Sequence, residues 1–179
     1  MKPTLTQLLT ALLAVLIISC NDHKEETKVA IKAALKNVNA SMDAGKLDNA
    51  AANKADSIMQ IYINKFPKDT LSADFILKSA QLKQMEQRYN DANKLLDKLV
   101  TDYPDSKAAP VGLYLNGFIF ENNEGLLDKA KSRYELFLKK YPNSELVPSV
   151  KASLENLGKN PEDIIKGFES KPDTAKVPS

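Results

Sequence analysis

The sequence predicts an all-α fold, a short right-handed α-solenoid of about three helical hairpins with capping helices at its C-terminal end. Three observations predict it. First, Ala92 to Pro104 and Ala130 to Pro142 carry one pattern: an Ala twelve residues before a Pro, with apolar side chains four, seven, eight and eleven residues after the Ala. Second, a weaker copy runs from Ala55 through Met59, Tyr62, Ile63 and Phe66 to Pro67, so the closing prolines stand 37 and then 38 residues apart. A fixed period of this length is the signature of repeated helix pairs. Third, the chain has only six Gly, no Trp, and abundant Ala, Leu, Lys and Asn, a composition that favours helix.

The first element is an export signal. Residues 1–19 place Lys2 before an apolar run from Leu8 to Ile18, a pattern to be set aside from fold reasoning and short of the roughly 20 apolar residues that a bilayer span needs. Cys20 follows, the only cysteine of 179 residues, so no disulfide forms within the chain. Ile17-Ile18-Ser19-Cys20 resembles the bacterial lipobox. The resemblance implies that residues 1–19 are removed and Cys20 is lipidated, which holds the protein to a membrane without spanning it; the alternative is an ordinary signal with a fortuitous Cys. Residues 20–26 form a polar tether, in which Lys24-Glu25-Glu26 resembles a lipoprotein surface-export signal of the Bacteroidetes group or is a solvated linker. The one histidine, His23, lies here and is given no role.

The helical domain is expected over 27–169. Ile31, Leu35, Val38 and Met42 make one helical stripe ended by Gly45. Asp48 or Asn49 caps the next helix, which turns Ala55, Ile58, Met59, Tyr62 and Phe66 inward. Ser72 is the expected cap of a third helix bearing Phe75, Ile76, Ala80, Leu82 and Met85, and a turn at 88–90 precedes the Ala92 helix. Pro110 opens the fifth helix, which breaks at Asn122-Asn123-Glu124-Gly125 before the Ala130 helix. Pro148 starts a seventh helix to about Gly158, Asn160-Pro161 caps a short closing helix through Phe168, and 170–179 read as a disordered tail.

Small residues allow helix backbones to approach. Ala80 and Gly117, each thirteen residues after a Pro, are expected to face Ala92 and Ala130, and the aromatics at 66, 103 and 141 to pack under the following hairpin. This arrangement resembles the tetratricopeptide repeat, whose small helix A residue, helix B Ala and closing Pro correspond to Ala80, Ala92 and Pro104, then Gly117, Ala130 and Pro142. The resemblance covers about residues 50–158. The long period, together with YPDS and YPNS at the hairpin ends, is similar to the envelope branch that includes the lipoprotein of the outer-membrane barrel-assembly machinery and the Tol-Pal-associated coordinator. The stretch 157–166 is similar to short Bacteroidetes tetratricopeptide lipoproteins.

Function follows from what is present. Lys and Arg number 25 against 23 Asp and Glu, interspersed along helix faces, so no basic patch for nucleic acid stands out. With one His in the tether, one Cys at the lipid position, no Gly-rich phosphate loop and no clustered metal ligands, acid-base, nucleophilic and cofactor chemistry lack their usual parts. The expected function is a non-catalytic, lipid-anchored interaction module or scaffold of the cell envelope, at the outer membrane, on either face. The resemblance implies that an envelope protein or peptide lies in a groove lined by the first helix of each hairpin: Leu77, Gln81 and Gln84, then Tyr114, Phe118 and Glu121. Tyr114 and Phe118 are equally readable as core. The alternative is a structural subunit of an outer-membrane complex for barrel assembly or nutrient uptake.

Overall fold

The computed structural model describes the backbone of residues 5–160 and the side chains of residues 23–160. Among these residues there are seven α-helices and no strand: α1 (Leu5–Asp43), α2 (Asn49–Lys65), α3 (Thr70–Met85), α4 (Tyr89–Asp102), α5 (Ala108–Asn122), α6 (Leu127–Lys140) and α7 (Val147–Asn156). Short loops connect consecutive helices. The all-α expectation of helical hairpins holds. The chain divides into two compact units within α4, one ending at Leu95 and the other starting at Leu96.

In the first unit α1 packs on α2, and α2 on α3. The α1 stripe is Ile31, Ala34 and Val38, all buried, with Leu35 half-buried. Met42, expected inside, is exposed because it sits in the last turn beside the corner at Gly45, whose φ of 87° suits glycine. Asp48 caps α2 by accepting from the Ala50 and Ala51 amides at 2.8 and 3.2 Å. Ala55, Met59, Tyr62 and Ile63 are buried along α2, whereas Ile58 and Phe66 are half-buried. The ring of Tyr62 meets Phe66 and Phe75, each with centroids 4.9 Å away.

Three expectations change here. Asp69, not Ser72, is the α3 cap: its carboxylate accepts from the Leu71 amide at 2.8 Å, while Ser72 lies buried inside the helix and donates to the Phe66 carbonyl at 2.7 Å. The stretch 20–26 is continuous with α1 rather than a loose connection, and Lys24 pairs with Asp69 while standing 5.8 Å from the Phe66 ring centroid. Glu25 pairs with Lys28 at 2.6 Å. The charges are also not all solvated. Lys83, on the buried face of α3, pairs with Asp56 of α2 at 2.7 Å and with Glu86 at 3.3 Å, and its side chain is 7% and that of Glu86 5% exposed.

The second unit has a core of Val100, Leu113, Phe120, Ala130, Tyr134, Phe137 and Val150. α5 packs on α6 and α6 on α7. Gly117 marks a close approach of α5 and α6, although the side chain nearest it is Tyr134 and not Ala130: an added Cβ would stand 2.5 Å from the Tyr134 ring. Ala80, Ala92 and Ala130 are fully buried. Arg133 of α6 reaches Asp97 of α4 at 2.9 Å and lies 5.8 Å from the Phe120 ring centroid. Tyr141 packs against this core and also reaches back one repeat, its hydroxyl donating to the Pro104 carbonyl at 3.1 Å. In the first unit Phe66 stacks at a tilt on Tyr62. α7 carries Pro148 in its first turn, and Gly158, with φ 73°, follows its end. The closing helix expected from Asn160 to Phe168 and the tail at 170–179 lie outside the described residues, Asn160 excepted.

Candidate functional site

An open groove of about 670 Å³ runs between α1 and α3 in the first unit. Its α1 wall follows from helical spacing. With Ile31, Ala34 and Val38 turned onto α2, the adjoining face presents Lys28, Lys32 and Lys36 at four-residue steps, with Leu35 and Asn39 beside them. Val29, on the same rim, is 69% exposed. The α3 wall is Leu71 and Phe75, one turn apart, held in place by the Asp69 cap below them and by Tyr62 behind Phe75. The floor is apolar and the rim is cationic.

Electrostatics lock the lower end. Burial would raise the Asp69 carboxyl, but hydrogen bonds from Lys24 and the Leu71 amide outweigh it and hold the group below the ordinary carboxylate range. Burial first, and then the neighbouring Asp69, push the Tyr62 phenol far above its usual value, so it stays neutral.

The expected groove residues separate by helix. On α3, Gln81 is exposed, whereas Leu77 and Gln84 are half-buried on the edge of the helix away from Leu71 and Phe75. None of the three lines the α1–α3 groove. On α5, in the second unit, Phe118 is 39% exposed. Tyr114 is half-buried against the core, its ring centroid 5.9 Å from that of Tyr134 and its hydroxyl 3.4 Å from Ser153 of α7. Glu121 accepts from the Tyr134 hydroxyl at 2.7 Å. Burial and that carboxylate raise the Tyr134 phenol well out of its ordinary range. Tyr114 and Glu121 thus serve packing as well as lining α5, and of this trio Phe118 is the side chain most open to a visitor.

The α1 residues of the groove were missed. Their signal in the sequence is Lys at 28, 32 and 36 next to an apolar residue at 29, which reads equally as a solvated face. Cys20, the expected lipid site, lies in the part of α1 before residue 23, of which only the backbone is described. Among the described residues no helix is long and apolar enough to cross a membrane, and no three His, Cys, Asp or Glu side chains converge as metal ligands.

The family model for the tetratricopeptide repeat matches residues 74–106 and 113–144. The first match takes in Ala80, Ala92 and Pro104, and the second Gly117, Ala130 and Pro142. It does not extend to α1 and α2, although these form a further helix pair. No curated protein matches the chain. The chain therefore contains two tetratricopeptide repeats built on buried small residues, and such repeats indicate a protein-interaction module.

Proposed function

We propose that the chain is a non-catalytic, lipid-anchored binding module of a bacterial cell envelope, which holds a partner protein or peptide in the α1–α3 groove. The observation that carries the reading is the groove: an apolar floor about 16 Å long, from Lys28 to Asn39 at 1.5 Å per residue, which none of the described residues covers and on whose rim Val29 stands in solvent. Apolar surface of that kind marks an interaction site. The position of the sole cysteine supports the anchor. Cys20 lies on α1 eight residues before Lys28, about 12 Å along the helix, so a lipid there would keep the groove close to the membrane surface. We place the protein at the outer membrane, as the lipobox and the likeness to envelope lipoproteins suggest.

A benzophenone side chain in place of Val29, irradiated in intact cells, tests the groove. A discrete adduct at position 29, absent when the same group replaces the exposed Ser57 of α2, is the expected result. No adduct at position 29 refutes the groove. A Cys20→Ser variant that stays in the membrane fraction refutes the anchor separately.

A second reading rests on α5. Val111 and Phe118, seven residues apart on one helical face, are 38% and 39% exposed. Such a stripe suits a permanent neighbour, as in a structural subunit of an outer-membrane complex. Native gels of gently solubilised membranes that show only free monomer exclude it.

A further inference from the structure

We infer that the occupant of the α1–α3 groove is an acidic amphipathic helix of about three turns. The inference rests on the binding-module reading above and specifies the chemistry of its partner.

Charge comes first. Lys28, Lys32 and Lys36 stand in one row, where like charges four residues apart oppose each other. Lys28 is paired with Glu25 at 2.6 Å, but among the described residues no carboxylate lies within 4.0 Å of Lys32 or Lys36. Among the described residues, therefore, two ammonium groups border apolar surface without a counter-charge. A partner with carboxylates flanking an apolar stripe completes both.

Backbone chemistry selects a helix over an extended segment. Both walls are α-helices, whose N–H and C=O groups are satisfied internally, and the polar side-chain atoms bordering the floor belong to the lysines and Asn39. An extended segment laid there would bury main-chain groups with no ladder to join. A helix arrives with its own bonds made and needs only apolar side chains at three- and four-residue steps to meet Val29, Leu35, Leu71 and Phe75. A groove open along its length also suits a rigid rod better than an acyl chain, which would stay half in water.

The test uses the full chain in mild detergent and a fluorescent, lactam-constrained helix of about 12 residues with a Leu stripe flanked by Glu. Two controls accompany it: a twin with Lys at every Glu, and a scrambled peptide of the same composition. By anisotropy the acidic helix is expected to bind about tenfold tighter than either control, and to lose that margin in high salt and in Lys32→Glu/Lys36→Glu. Both lysines are exposed, and an unchanged far-ultraviolet spectrum checks the variant. Equal binding of the Lys twin overturns the charge assignment, and equal binding of the scrambled peptide overturns the helical one. Absence of binding overturns both. Phosphatidylglycerol vesicles form a further arm: capture that depends on Lys32 and Lys36, without peptide discrimination, makes the row a headgroup contact and overturns the inference. An adduct at position 29 together with failure of the acidic peptide leaves the binding module standing and removes only its partner's chemistry.

Discussion

Gly117→Ala should destabilise the second unit, although the same change inside an ordinary helix gains about 1 kcal/mol from propensity. An added Cβ would lie 2.5, 2.7 and 3.1 Å from Cε1, Cδ1 and Cζ of Tyr134, where carbon atoms prefer about 3.5–4.0 Å. The ring would have to retreat by about 1 Å. It has nowhere to go: Tyr134 is fully buried, lies against Tyr114, and is tethered through its hydroxyl to Glu121 at 2.7 Å. Overpacking costs about 1–3 kcal/mol, and loosening a hydrogen bond to a carboxylate adds roughly 1 kcal/mol. Set against the propensity gain, the net loss is about 1–3 kcal/mol, several degrees in Tm for a chain of this size. Guanidinium unfolding followed by circular dichroism measures it. The decisive comparison is a double-mutant cycle. With Tyr134→Leu the obstacle is gone, and Gly117→Ala should then stabilise by about 0.5–1 kcal/mol. Stabilisation by Gly117→Ala in the unaltered chain would refute the close-approach argument. Gly112→Ala is a control, since its Cβ would meet the tip of Leu99 at 2.6 Å, a branched end that moves more readily than a ring.

Lys83→Met leaves Asp56 without its cation and Glu86 with Arg88 alone, at 3.5 Å, and should cost up to roughly 3 kcal/mol in denaturant melts, of which adding Asp56→Asn and Glu86→Gln recovers most. Asp69→Asn keeps a capping side chain but removes the charge that Lys24 meets. Because the folded Asp69 carboxyl titrates below its unfolded value of about 4, its contribution is complete above that pH and disappears as the pH falls through the lower folded value. Stability of the unaltered chain should therefore drop more steeply than that of Asp69→Asn on acidification below about pH 4, and parallel curves would contradict the assignment. Asp48→Ala removes the α2 cap and should lower stability by about 1 kcal/mol in the same melts, with Asp48→Asn close to neutral.

Much of the hairpin plan was legible before any coordinates. The α2 cap at Asp48, the corner at Gly45, the break at Gly125 and the entry of α7 beside Pro148 are local matters, set by a capping carboxylate, a positive φ or a missing N–H within a few residues. The buried Ala92 and Ala130 were readable because a period near 38 residues leaves few other reasons to repeat a small side chain at one place. Where two good local answers competed, the local argument failed. Ser72 and Asp69 are both plausible caps, and Asp69 prevails because Lys24 arrives from α1 to meet it.

Periodicity, closing prolines and small residues were enough to establish an all-helical chain of repeated hairpins, because each acts over a few turns of one helix. Which side chains stand together across helices was not available from them. Lys83 reads as another surface lysine until Asp56 of α2 is placed beside it, and Lys28, Lys32 and Lys36 read as a solvated row until Leu71 and Phe75 of α3 complete an apolar floor. A side chain's burial and its partner are properties of the space between helices, and that space exists only once the helices have packed.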